Sequence, residues 1–213
     1  MKKYILIDNG HASTTPGKRS PKKDDGSILY EWKWNREAAK MLATKCKAYP
    51  DVVPILLVPE NNVDIGLSTR AARANKYIQQ YGASNCVFVS VHVNAAGNGG
   101  WMNATGWSAW TTKGKTNSDK LAECMYEEAE KTLLKDELYK AKNKIRYDRS
   151  DGDKDWESNF TVIYKTNCPA VLVENLFMDN KTDVEYLESA HGKDVLTDIM
   201  LKGCLKYFES IKK

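Results

Sequence analysis

The sequence predicts an α/β fold: one twisted, mainly parallel sheet of about five to six strands with helices on both faces, within one domain. Three observations predict it. Short apolar runs alternate with segments of helical period along the chain. The run CVFVSVHV at 86–93 is almost continuously apolar, as a strand covered on both faces must be. A histidine or glutamate stands at or just past the end of three such runs, at His11, His92 and Glu174, and open α/β sheets collect their sites at the carboxyl ends of strands.

The elements follow in order. YILID at 4–8 reads as a buried strand, and residues 12–28 as a polar, basic loop with Gly, Pro and Ser. From Glu31, Trp34, Ala38, Met41, Leu42 and Cys46 share one helical face, and Pro50 stops the helix. VVPILLV at 52–58 is a second strand, and its Pro54 places it at an edge. Leu67, Arg70, Ala71, Ala74 and Ile78 mark a second helix, ended near Gly82, before the strand at 86–93.

Residues 94–116 read as a long irregular stretch holding Trp101, Trp107 and Trp110. A helix is predicted over 118–138 with Ser118 as its cap, then a polar loop over 141–158. FTVIY at 160–164 and PAVLV at 169–173 read as two further strands, and 180–190 and 193–210 as closing helices. No linker, repeat or low-complexity segment divides residues 1–213, so a single domain is expected.

Composition narrows the function. An apolar share of 42% and a charged share of 28% fit an ordinary globular protein. The net charge of +4 favours anionic partners, but Lys and Arg are spread along the chain, apart from a small cluster at Lys18, Arg19, Lys22 and Lys23, and form no nucleic-acid module. No apolar run reaches the ~18 residues of a membrane span. MKKYILID breaks at Asp8, too early for a secretory signal peptide, which predicts a chain made in the cytoplasm. The five cysteines are scattered with no Cys-x-x-Cys spacing and read as free, mostly buried thiols.

The chemistry lies in two of the three histidines and two of the glutamates. His11 follows the first strand by one tight turn, His92 ends the third, Glu174 closes AVLVE, and Glu31 opens the first long helix. Alone, a strand-terminal histidine is more often structural than a ligand, and a glutamate at a helix start more often a cap. Together on one sheet edge they fit two imidazoles and one carboxylate around zinc, with a fourth position for water. A second carboxylate outside that set would serve as acid and base. Spacing leaves open which glutamate is which. His191, in the polar stretch SAHGK, reads as a surface residue or helix C-cap.

IDNGH at 7–11, Glu31 with Asn35, LSTRAARAN at 67–75, FVSVHVNA at 88–95 and PAVLVENLFMDN at 169–180 together resemble the zinc-dependent N-acetylmuramoyl-L-alanine amidases of the amidase 3 family. That resemblance implies a zinc enzyme cleaving the amide between muramic acid and L-alanine in peptidoglycan. It implies His11, Glu31 and His92 as zinc ligands and Glu174 as the general base and acid. Two departures bear on substrate contacts: the family's Asp-Pro-Gly-His-Gly-Gly reads DNGHAS here, and no glutamate follows Gly106 in GWSAWTT.

Around that centre, Asp8 is expected to support the turn or a ligand, and Asn94 to orient a ligand or the substrate. Trp101 and Trp107, with Trp110, are expected to wall a cleft, and Arg146 and Arg149 to meet stem-peptide carboxylates. The expected partner is peptidoglycan or a muropeptide, with no nucleic acid, no separate wall-binding domain, and a monomeric chain acting at the bacterial wall after release or export, as a phage endolysin does. Two alternatives are a zinc peptidase or other amide hydrolase on a similar scaffold, and a non-catalytic wall-binding domain.

Overall fold

The computed structural model describes residues 2–97 and 99–212. Its strands and helices are β1 (Lys3–Asn9), α1 (Glu31–Cys46), β2 (Val52–Leu56), α2 (Leu67–Tyr81), β3 (Cys86–Asn94), β4 (Ser108–Thr111), α3 (Asn117–Thr132), β5 (Trp156–Glu157), α4 (Thr161–Tyr164), β6 (Ala170–Phe177), α5 (Lys181–Glu188) and α6 (Ala190–Ser210). The sheet has six strands in the order β2-β1-β3-β6-β4-β5. β2, β1, β3 and β6 run parallel, while β4 joins β6 antiparallel. The expected α/β architecture is the one observed, and Pro54 lies on an edge strand, where its missing N–H leaves no ladder bond unmade.

Side-chain alternation sorts the strands into two faces. Ile5, Ile7, Val87, Val89, Val91, Val171 and Val173 point into the larger core, shared with α1, α3, α5 and α6. Leu6, Phe88 and Leu172 point into a smaller core with Ala74 and Ile78 of α2 and Val162 and Ile163 of α4. Each of these side chains that is fully buried contributes roughly 1.5–3 kcal/mol by leaving water. The outer helices fit tightly: a Cβ at Gly203 of α6 would meet Cγ of Met125 in α3 at 2.4 Å, so only glycine allows this approach.

Four expectations give way to the structure. FTVIY is not a strand: Tyr164 donates to the Phe160 carbonyl at 2.9 Å and closes the short helix α4. The Asn75 amide on α2 takes up the Lys165 carbonyl at 2.8 Å, so the end of this helix is satisfied from outside. The irregular stretch contains β4, which gains its ladder from β6. α3 stops at Thr132 instead of running to 138, and its N-cap is Thr116, which forms a reciprocal capping box with Asp119 in place of the expected Ser118. His191 is exposed, in keeping with its reading as a surface residue; it lies in the first turn of α6, with Nε2 2.7 Å from Asp136. All five cysteines are free, and Cys168 alone is only partly buried.

Candidate active site

Register builds the site. β1 and β3 pair Asp8 with Ser90, β3 and β6 pair His92 with Glu174, and β4 sets Ser108 across from Glu174. Continuing the alternation from Leu6, Phe88 and Leu172, all five residues project from the face that packs α2, toward the carboxyl ends of the parallel strands. A β-bulge follows at once, between His92 and Asn94. Leu176 lies at φ 65 just after Glu174, and Asn175 donates to the His92 carbonyl at 3.0 Å, which ties the two strand ends together.

His11 arrives from the turn after β1. Gly10 donates to the Val91 carbonyl at 3.0 Å, and His11 takes a left-handed backbone with φ 64, uncommon away from glycine. Beneath the turn, Arg70 of α2 is 1% exposed and holds four oxygens: Asp8 Oδ1 at 2.8 Å, the Asn9 carbonyl at 2.7 Å, the Ile65 carbonyl at 2.6 Å and Asp64 Oδ1 at 3.0 Å. Asp8 Oδ2 accepts from Ser90 at 2.6 Å. This planar fork fixes the backbone just ahead of His11, which explains a charged pair beneath the sheet edge.

Glu31 arrives from the other side. Its N–H donates to the Lys18 carbonyl at 3.0 Å, which starts α1 at this point. The side chain is 1% exposed and Oε1 lies 3.1 Å from His92 Nδ1, 3.3 Å from His11 Nε2 and 3.2 Å from the Val93 N–H. The two imidazoles stand edge to face, ring centres 5.0 Å apart. Burial opposes ionisation of Glu31, yet both imidazoles outweigh it and hold the carboxyl well below the usual carboxylate range. Buried Asn35 donates to the Gly10 carbonyl at 3.2 Å, one turn along from Glu31, and so joins helix and turn.

His11, Glu31 and His92 each offer a ligand atom, and these atoms lie within 4.8 Å of one another. The set can hold a metal ion. Oε2 of Glu31 is buried without a hydrogen-bond partner, and such an oxygen is costly unless a cation or donor meets it. Two imidazoles and a carboxylate are donors that suit zinc. Glu174 stands beside the cluster. Burial pushes its carboxyl up to about 7, against the pull of His92, and its Oε2 also lacks a partner.

Comparison with known proteins decides the family. The family model for N-acetylmuramoyl-L-alanine amidase, amidase 3, matches residues 5–206. The chain belongs to this family. An endolysin of Bacillus phage SPP1 is 25% identical over 190 residues, covering 88% of this chain and 59% of that protein. The N-acetylmuramoyl-L-alanine amidase CwlM of Bacillus licheniformis is 27% identical over 186 residues, 87% of this chain and 61% of its own. The chain thus spans about 60% of the length of these two relatives. The crystal structure of an N-acetylmuramoyl-L-alanine amidase from Clostridium difficile 630 superposes with a TM-score of 0.77 at 25% identity, covering 99% of each chain.

Within this amidase fold the outlying candidates separate. Asp8 lies beneath the cluster in the Arg70 network. Asn94 spends its side-chain oxygen on the Ala95 N–H and its carbonyl on Met178, so it shapes the bulge. Trp107 is 0% exposed and packs edge-on against Tyr126 in the larger core, so it walls no cleft. Trp101 is partly buried against the same core, with the Lys181 ammonium over its ring. Trp110 packs with Trp156 and Phe160 at the far side of β6.

The Arg146 guanidinium is sandwiched over the rings of Trp156 and Phe177, and exposed Arg149 lies over Tyr147 and lines a separate cavity with Asp119, Glu123 and Asp153. Residues 12–28, which carry Lys18, Arg19, Lys22 and Lys23, are folded back by an antiparallel bridge between Arg19 and Tyr30. Arg70, Asn35 and Ser108 carry supporting positions that the spacing of single residues did not single out. The LSTRAARAN run held the signal for Arg70, since an arginine on the buried face of a helix needs a partner.

Proposed function

We propose that this chain is a zinc-dependent amidase that hydrolyses the bond between the lactyl group of N-acetylmuramic acid and L-alanine in peptidoglycan. The observation that carries the reading is the convergence of His11, Glu31 and His92 beside a free carboxylate, Glu174, set in register with His92. Zinc held by those three residues would supply Lewis acidity to the scissile carbonyl and the attacking water.

The chain's own residues do the rest. Glu174 takes a proton from the attacking water on its carboxylate and passes it to the departing nitrogen of L-alanine. Its raised pKa suits both halves of that task, because an acid near 7 can accept and return a proton at neutral pH. Asn175 keeps the end of β6 tied to His92, so base and ligand hold a constant separation. Arg70 and Asp8 keep the His11 turn from relaxing. The reading places the protein at the bacterial wall, in lysis or turnover; the similarity to a phage endolysin supports the first, and no described helix is long and apolar enough to cross a membrane.

The test is digestion of purified peptidoglycan by wild type and Glu174→Gln, with and without a chelator, read by mass spectrometry. New L-alanine amino termini are expected only from metal-loaded wild type, with Glu174→Gln slowed by at least ~1000-fold while still binding zinc. Cleavage within the peptide instead would make the protein a peptidase.

A further inference from the structure

A groove of about 630 Å³ lies between the loop ahead of α1 and the chain just past β3 and β6. One wall is Lys18, Arg19 and Lys22; the other includes Ala95 and Met178, which continue the two strands carrying His92 and Glu174. The basic wall is not loose. The Lys18 carbonyl holds the Glu31 N–H, Ser20 donates to the Leu29 carbonyl at 2.8 Å, and the buried Ser20 hydroxyl accepts from Leu29 at 2.9 Å. A tight turn, Lys23 N–H to the Ser27 carbonyl at 2.9 Å, closes the hairpin. The same backbone that delivers Glu31 therefore presents the cations.

Those cations are uncommitted. Nearby acids are taken by other lysines: Glu188 pairs with Lys23 at 2.5 Å, and Asp24 with Lys181 at 3.4 Å. Lys18, Arg19 and Lys22 have no carboxylate within 4.0 Å among the described residues. Lys18 is half-buried, and its backbone is bonded directly to that of Glu31, one of the three converging residues. The described lining contains no aromatic ring, so it offers no flat face for a sugar.

We propose that this groove is the stem-peptide subsite and that it selects peptides bearing a free α-carboxylate on the residue after L-alanine, with Lys18 and Lys22 as the selecting cations. The inference rests on the amidase reading and deepens it. A residue spans only ~3.3–3.6 Å, and Ala95 and Met178 stand three and four residues past His92 and Glu174, so a peptide leaving the cluster along the strand ends meets this groove within its first few residues. The lysines would act on substrate binding and not on the chemical step, so the discrimination belongs in KM.

The experiment compares two muropeptides, N-acetylmuramoyl-L-Ala-γ-D-Glu-L-Lys and its analogue with the D-Glu α-carboxyl amidated, on zinc-loaded protein. Wild type is expected to favour the free acid by about tenfold in kcat/KM, almost wholly through KM and weakened by salt. Lys18→Gln/Lys22→Gln should reduce that ratio to near one, and Lys22→Glu, at an exposed position, should lower it on its own. Equal turnover of both peptides by wild type overturns the inference and leaves the amidase reading standing. So does a double variant that keeps the tenfold preference. If wild type discriminates only on whole walls bearing anionic polymers, the groove serves another wall anion and the inference fails. Cleavage of neither peptide sinks the amidase reading and this inference with it.

Discussion

Gly10 and His92 exclude one another's space: a Cβ on Gly10 would stand 2.1 Å from Cε1 and 2.5 Å from Nδ1 of the His92 ring. The glycine of the turn is thus required by a side chain across the sheet, and the imidazole rests directly on peptide backbone. Gly10→Ala should push the ring off its position while the cores stay intact. Zinc affinity is expected to fall by about 10- to 100-fold, measured by competition with a chromophoric chelator. An unchanged affinity would show that the ring can move and still bind.

Zinc should stabilise the fold because the unfolded chain has no such cluster. At about 100 times Kd the gain is ~2.7 kcal/mol, or roughly 5–10 °C in the melting temperature of a domain this size. His92→Ala should abolish the shift. A full shift in that variant would mean the metal binds somewhere else.

Arg70 joins four oxygens, and no other side chain has that fork. Arg70→Lys is expected to cost about 3 kcal/mol in denaturant unfolding, because Asp8 would keep a buried charge with fewer bonds. Combining it with Asp8→Asn should cost less than the sum of the two single changes. Strict additivity would separate the two residues energetically.

Asp155 offers a pH test away from the cluster of His11, Glu31 and His92. It is buried and accepts from Thr111 at 2.6 Å, and burial, with Asp153 adding to it, pushes its carboxyl up to about 7. The folded protein therefore holds this proton more tightly than the unfolded chain, whose pKa is ~3.9. Its contribution is fully present below about 4 and is lost as pH rises through 7. Asp155→Asn should match wild type near pH 4 and exceed it by roughly 1–2 kcal/mol at pH 8. A difference that stays flat across that range would show the group titrating normally in the fold.

Much of this architecture is legible in the sequence, because it rests on long apolar runs and on helices with one clear face. CVFVSVHV and AVLVE name both their burial and their end residues. The misreadings have a common cause. FTVIY is five residues of β-favouring type that the side chain of Asn75 on α2 helps to finish as a helix. SAWT is four residues whose strand exists only because β6 offers an edge.

The grouping of His11, Glu31 and His92 was legible because each stands at the boundary of a different element: His11 just past β1, Glu31 at the start of α1 and His92 near the end of β3. The surroundings were less so. Trp107 in a glycine-rich stretch looks like a binding platform until the fold places it beside Tyr126. Lys18 and Lys22 read as a small basic cluster in a polar loop until the bridge between Arg19 and Tyr30 folded that loop back toward the strand ends. Arg146 looked free until the rings of Trp156 and Phe177 took up its guanidinium.

The order of the sheet also bears on how the protein is made. β1, β3 and β6 lie side by side, yet β6 begins only at Ala170. A chain emerging from the ribosome therefore carries His11, Glu31 and His92 well before the strand that bears Glu174 has been translated. Under the amidase reading, a nascent chain can gather its metal donors and still be unable to hydrolyse anything. Competence comes with β6, the last of this sheet's six strands in chain order, so products of translation interrupted before it are inert toward the wall.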